Sequence, residues 1–269
     1  MEPSLSKIDG SDVSPRQADI LQIARQFGRV DVERLASRFD MTPQTIRRDL
    51  NDLCDRGLLR RVHGGATYPT SITNVAYGSR QNMAFDAKRR IAARAAALIP
   101  DRSSIMLNIG TTTEEVARAL IGHQGIMVVT NNLNVAHILR EAPSAEVIIA
   151  GGLVRASDGG IVGEATVDFI RQFKMDYAVI GASAVDPDGT LLDYDYREVS
   201  VAREILAQAR HTLLVADSMK FERRAPVRIG HLSELDVFVT DIDPPASISQ
   251  ICKDYGVTLE IADGNGILE

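Results

Sequence analysis

The sequence predicts an α/β protein in two parts: a small helical module with a β-wing, then a larger body on a mainly parallel sheet. Three observations carry this. A helix-capping signal at Thr42-Pro43 opens an amphipathic segment, and two adjacent arginines, Arg60 and Arg61, precede the Gly64-Gly65 turn. From about residue 104 onward, short Val/Ile/Leu runs alternate with helical periodicity, the mark of a parallel sheet covered on both faces. At 269 residues and 45% hydrophobic, the chain exceeds one average domain and can fill a real core.

Taken in order, residues 1–14 read as a flexible amino terminus. From Pro15 to Phe27, Ile20, Leu21, Ile23, Ala24 and Phe27 form an apolar stripe. Asp31 can cap a short second helix with Leu35, Ala36 and Phe39 inward. Phe39-Asp40-Met41-Thr42 then turns the chain. In the third helix Thr42 is the cap, and Pro43 sits at the first helical position, where its missing N–H costs nothing. Ile46, Leu50 and Leu53 follow at spacings of four and three, so they share one face. At about 100° per residue, Gln44, Arg48 and Asn51 fall on the opposite face, with Arg47 at its margin. Arg reads guanine edges; Gln and Asn read adenine edges. Arg56-Gly57 ends the helix, residues 58–62 form a short strand, and His63-Gly64-Gly65-Ala66 turns it back.

Helix, short helix, turn, reading helix and wing is the winged helix-turn-helix order over residues 15–67. Its expected partner is double-stranded DNA, met by Thr42, Gln44, Thr45, Arg47, Arg48, Asn51, Arg60, Arg61 and His63. Charge alone would not decide this. Residues 15–66 hold ten arginines against seven acids, only mildly basic, and it is the joint pattern that points to DNA.

The net charge of −6 and pI near 5.5 argue against a protein coated in nucleic acid. A basic module on an acidic body favours docking in one orientation. Cys54 and Cys252 lie far apart and outside any metal-ligand spacing, so both read as reduced thiols. No apolar run approaches membrane-spanning length and no signal sequence is read at the start, so a cytoplasmic location with no membrane partner is expected.

Residues 68–83, polar and marked by Pro69 and Gly78, read as the linker, and 84–269 as the sensor and oligomerisation domain. Helices are expected over 84–99, 112–120, 133–141, 164–173, 197–209 and 247–255. Strands are expected over 105–109, 125–130, 147–150, 177–181, 212–216 and 237–240, with a hairpin excursion through Asp186 to Gly189. Ligands of such sheets sit outside the carboxyl ends of the strands.

Those ends carry Asn108-Ile109-Gly110-Thr111-Thr112-Thr113, Asn131-Asn132, Gly151-Gly152 with Arg155, Gly181-Ala182-Ser183, and Asp217-Ser218-Met219-Lys220. Glycine permits close backbone approach, and free N–H groups and hydroxyls at a helix start bind anions. The effector-binding candidates are Asn108, Gly110, Thr111, Thr112, Thr113, Asn131, Asn132, Gly152, Arg155, Asp195 and Lys220, in outline a site for a small phosphorylated polyol or sugar. A dinucleotide site would need Gly-x-Gly-x-x-Gly after a strand; Gly159-Gly160 with Gly163 lacks that spacing. No cofactor and no metal is expected.

With both parts described, the chain resembles the DeoR family of bacterial sugar-responsive repressors over nearly its whole length. The residues are Thr42 to Leu50, His63 to Ala66, Ile109 to Thr112, Thr130 to Asn132, Gly151-Gly152 and Asp217 to Phe221. Finer matches cover Gln44 to Leu53, Val129 to Ala136, Asp158 to Ile170 and Leu191 to Val199. The resemblance implies a sensor similar in fold to ribose-5-phosphate isomerase, sn-glycerol 3-phosphate as inducer, and a homo-oligomeric repressor. One departure is Asn108, where the family commonly has Asp before Ile-Gly-Thr-Thr.

The implied fold raises an enzymatic rival. Asp193, Asp195, Glu198 and Lys220 could act as acid/base groups, yet fold does not decide function. Turnover of an inducer would erase the signal that a DNA reader reports, so a sensor without catalytic residues is expected.

Overall fold

The computed structural model describes residues 13–27, 29–62, 64–67 and 77–263. The chain forms two compact units, Met1–Thr70 and Ser71–Glu269.

The first unit runs α1 (Pro15–Phe27), β1 (Arg29–Asp31), α2 (Val32–Phe39), α3 (Pro43–Asp55), β2 (Arg60–Val62) and β3 (Gly65–Thr67). Asp31 caps α2 by accepting the Glu33 amide, and Asp40 makes the left-handed turn out of it. Thr42 Oγ1 accepts the Thr45 amide at 3.2 Å to start α3. Ile20, Leu35, Ile46, Leu50, Leu53 and Leu59 fill one small core. Strand β1 is not foreseen by the sequence. With Val30 as its one apolar residue it is too short to show a period of two, yet it pairs with β3 and makes the wing sheet three-stranded, β1-β3-β2. A Cβ on Gly65 would stand 2.0 Å from the Val30 carbonyl oxygen, so the β1–β3 approach itself demands glycine there. The flexible terminus, up to residue 12, the Phe27 side chain and His63 lie outside the described residues.

In the second unit, residues 77–82 correct the expected linker: Tyr77–Asn82 is a helix, α4, grouped with the sensor, while 68–76 lie outside the described residues. Gly78 and the polar composition hid it, because α4 is held by polar contacts rather than by an apolar face. Then follow α5 (Phe85–Ala97), β4 (Ser104–Leu107), α6 (Thr111–Ala119), β5 (Met127–Thr130), α7 (Leu133–Leu139) and β6 (Glu146–Ile149). A small β7–β8 hairpin (Leu153–Val154, Ile161–Val162) leads to α8 (Glu164–Ile170) and β9 (Met175–Ile180). Next come β10 (Ala184–Val185), β11 (Thr190–Asp193), α9 (Tyr196–Ala207), β12 (Ala209–Val215) and β13 (Val227–His231). The chain closes with β14 (Val237–Thr240), α10 (Ala246–Tyr255) and β15 (Thr258–Ile261).

Among the described residues seven strands form one parallel sheet, ordered β15-β14-β12-β9-β4-β5-β6. Strand alternation sends its side chains to two cores. Met106, Val129, Ile180, Leu214 and Phe238 pack with Val201 and Ile205 of α9 and Ile248 of α10. Ile105, Leu107, Val128, Val179 and Val239 pack with Ile91 of α5, Val116 of α6 and Ile138 of α7. A separate antiparallel sheet, β10-β11-β13, extends the expected hairpin by a strand the sequence does not announce. The order of the parallel sheet reverses between β4 and β9, so the crevice past Leu107 and Ile180 is its topological switch point.

Candidate functional site

On α3, Gln44, Arg47 and Arg48 are exposed, while Ile46, Leu50 and Leu53 are buried. Asn51 is half-buried and its Oδ1 has no donor. Thr42 and Thr45 share a hydroxyl contact of 2.9 Å, and Arg47 lies 3.6 Å from Glu33. Arg61 is exposed and Arg60 half-buried on the wing. Asp49, in the same helix, turns inward: Arg16 of α1 clasps both its oxygens, at 2.6 and 3.3 Å, and Gln17 reaches Asp52 at 2.9 Å. These bonds set the angle of the reading helix against α1. The sequence signal was present, since Asp49 falls beside Ile46 and Leu53 on the helix wheel.

The second site lies at the carboxyl ends of the parallel strands. Asn108 and Asn131 are 2% and 0% exposed, and the Oδ1 of each is buried with no donor. Asn131 Nδ2 is used by the Ile161 carbonyl, so the amide is oriented and only its acceptor is open. Thr111 and Thr112 are buried at the start of α6. The Thr113 hydroxyl donates to the carbonyls of Asn108 and Gly110, which fixes the loop. Asn132 caps α7 and reaches Glu114 at 3.3 Å. At Gly152 a Cβ would stand 2.1 Å from Thr166 Oγ1, so its lack of a side chain answers to α8 packing.

Arg155 is the hub of a carboxylate cage. It binds both oxygens of Asp158 at 2.8 Å, Asp195 at 3.1 Å and Glu198 at 2.6 Å. Burial opposes its charge, but the Asp158 hydrogen bonds and the Glu198 carboxylate outweigh this and raise its pKa. Burial and the neighbouring Asp193 charge push Glu198 up to about 8 despite the Arg155 contact. Asp195, held mainly by Arg197, falls to about 2. Asp193 is raised by burial, and its Oδ1 accepts from Ser183 and from the Tyr194 amide.

Beside this cage lies a set of cations. Lys220, in the 3-10 turn Ser218–Glu222 that follows β12, has no hydrogen-bond or ion-pair partner for its Nζ among the described residues, and burial lowers its pKa to about 7. Lys88, 3% exposed in α5, donates to the Arg80 carbonyl and is lowered by burial to about 8. Arg223 has only Met83 Sδ, at 3.9 Å, among the described residues. Lys220 feels the charges of Asp217, Arg223, Lys88 and Arg80 together. Such a cluster suits a small anion with more than one negative charge.

Of the expected effector residues, the structure brings Asn108, Gly110, Thr111, Thr112, Asn131, Arg155, Asp195 and Lys220 to this rim. Thr113, Asn132 and Gly152 have internal partners there. Sequence reasoning missed the basic residues Lys88 and Arg223 beside this rim. Lys88 had a signal, a lysine on the same stripe as Ile91, Ala92 and Ala95. Among the described residues no cluster could hold a metal ion, and no helix is long and apolar enough to cross a membrane.

Comparison with known proteins agrees with this division. The model of the DeoR-like helix-turn-helix domain matches residues 16–72, and that of the DeoR C terminal sensor domain matches residues 83–242. The glycerol-3-phosphate regulon repressor of Escherichia coli (strain K12) is 44% identical over 246 residues, 91% of this chain and 98% of that protein. The protein of the same name from Haemophilus influenzae is 47% identical over 251 residues, 93% of this chain and 98% of that one. Ribose 5-phosphate isomerase A from Neisseria gonorrhoeae is 14% identical over 53% of this chain and 54% of that one, with a TM-score of 0.38, too low to bear on function. With a reading helix and wing at one end and a sensor beyond it, matched in that order and along almost the full length of two repressors, the chain belongs to the DeoR family of helix-turn-helix repressors.

Proposed function

We propose that this repressor holds operator DNA through α3 and the wing and releases it when sn-glycerol 3-phosphate fills the strand-end site. The observation that carries the ligand class is the cluster of Lys88, Lys220 and Arg223, none in an ion pair among the described residues and all three sharing the nearby carboxylate of Asp217, beside two buried amide oxygens that lack donors. A phosphate supplies the missing negative charge, and polyol hydroxyls supply the missing donors. The names of the two relatives support glycerol 3-phosphate in particular. The effector residues expected from sequence, with Lys88 and Arg223 added, form this site. A sensor similar in fold to ribose-5-phosphate isomerase belongs to the same proposal, consistent with the parallel sheet and its switch point. Paired half-sites need paired reading helices, so the protein works as a homo-oligomer, in the cytoplasm where its DNA and metabolite meet.

To release the operator, the inducer must favour the DNA-free state by about 1–3 kcal/mol or more. Titrating a fluorescent operator complex with sn-glycerol 3-phosphate is expected to lower its anisotropy in the micromolar to millimolar range; a flat trace up to millimolar ligand rejects this inducer. A regulator of another sugar-phosphate operon is the second reading, and a thermal-shift panel of phosphorylated C3 to C6 compounds separates the two. Of the groups an isomerase would use, Asp195 and Glu198 are held by Arg155, and Asp195 by Arg197 as well, and the names of the two relatives, both repressors, favour the sensor.

On the DNA side, Arg48→Ala is expected to cost about 1–3 kcal/mol and relax choice at one base pair, as loss of a bidentate guanine contact would. Binding measured across operator variants checks this. A uniform loss would make Arg48 a phosphate contact instead.

A further inference from the structure

Helix α4 lies between the two stretches that the family models match, yet it is wired to the effector rim. Tyr77 Oη donates to Glu114 Oε2 at 2.8 Å and accepts from Asn134 Nδ2 at 2.9 Å and Gln81 Nε2 at 2.7 Å. Glu114 directly follows Thr113 on α6, and Asn134 opens α7 behind Asn132, so one phenol spans both helix starts of the site. One turn on, Arg80 Nη2 lies 3.2 Å from Asp158 Oδ2, in the Arg155 cage, and its guanidinium stands over the Tyr77 ring at 5.7 Å. The Arg80 side chain is only 15% exposed, and its Nε is buried with no acceptor.

A buried guanidinium N–H without an acceptor is costly unless something arrives to accept it. Arg80 already contributes to the field on Lys88, Lys220 and Arg223, so the arriving group is anionic. The planar fork of Arg fits phosphoryl oxygens, which a lysine meets only as a point charge. We propose that Arg80 is a further effector-binding residue that gives its free Nε–H to the phosphate, and that Tyr77 is the positioning residue holding α4 against the rim. This rests on the phosphorylated-effector reading above.

The test is calorimetric titration of the full chain with sn-glycerol 3-phosphate, for wild type, Arg80→Gln, Arg80→Lys and Tyr77→Phe, with ligand-free melting curves beside each. Arg80→Gln is expected to weaken binding about tenfold or more, with partial recovery in Arg80→Lys, since a hydrogen bond from a charged group is lost in the first and its geometry alone in the second. Tyr77→Phe keeps ring and charge and is expected to weaken binding about threefold, a change in Kd that a merely stabilising tyrosine would not give. Should Arg80→Gln fail to fold, Arg80→Lys alone decides, with an expected loss of about threefold. Wild-type affinity in the folded Arg80 variants overturns the proposal and leaves the effector reading standing. No binding by wild type overturns the effector reading, and this proposal with it.

Discussion

Arg155→Leu is expected to destabilise the sensor unit by about 3–5 kcal/mol, the usual consequence of removing one partner from a buried ionic group. For a unit of this size that corresponds to a fall in thermal midpoint on the order of 10 °C. Leucine fills much of the volume, so the loss is electrostatic: Asp158, Asp195 and Glu198 lose the cation they share, and Asp193 is close by. Its pH dependence identifies the cause. Glu198 is raised, mainly by burial, to about 8, so between the ordinary carboxylate value and pH 8 the folded state binds more protons than the unfolded state, and stability falls as pH rises. In the variant this fall should steepen, because Asp158, now held low by Arg155, would join it. Asp195 keeps Arg197, and its low pKa of about 2 contributes stability above its ordinary value that is lost only as pH falls towards 2. Thermal denaturation followed by circular dichroism should show a smaller deficit at pH 5 than at pH 8. A deficit constant across that range would mean that Arg155 acts through packing alone.

The cage explains where sequence reading succeeds and where it stops. Local signals placed the elements well: Thr42-Pro43 set the start of α3, Gly57 its end, and strand alternation the two cores. Strand-end position alone drew Asn108, Asn131, Arg155 and Lys220 to one rim, because a parallel sheet gathers its carboxyl ends. Partner choice is not local. Nothing near Arg155 in the chain says that Asp195 and Glu198, forty and more residues on, will surround it. Arg223 and Arg80 come from a loop and a short helix without apolar periodicity, so no pattern marked them. Short strands fail for the same reason: β1 and β13 exist through pairing with partners distant in sequence.

Lys220→Gln should separate sensing from DNA binding. Lys220 sits at the rim without an ion pair for its ammonium among the described residues, so under the proposed function its loss removes a charged contact to the effector phosphate, worth about 1.5–3 kcal/mol or tenfold to a hundredfold in affinity. The variant should fold at least as well as wild type. Burial lowers the Lys220 pKa to about 7, below its ordinary value, so from pH 7 to that value the folded state binds fewer protons than the unfolded state. Stability therefore rises with pH across that window, and at pH 7 the buried charge is a cost that glutamine relieves. The same pKa predicts how affinity titrates. A phosphate dianion needs Lys220 charged, so wild-type affinity for sn-glycerol 3-phosphate should fall as pH rises through 7, with proton uptake on binding, while loss of the dianion weakens it below about pH 6. In Lys220→Gln the alkaline fall should move towards pH 8, where Lys88 titrates. Calorimetry in buffers of different ionisation heat measures both affinity and proton uptake. Operator affinity without ligand should match wild type, because the reading helix is untouched. A variant that binds effector and takes up protons as wild type does would remove Lys220 from the site.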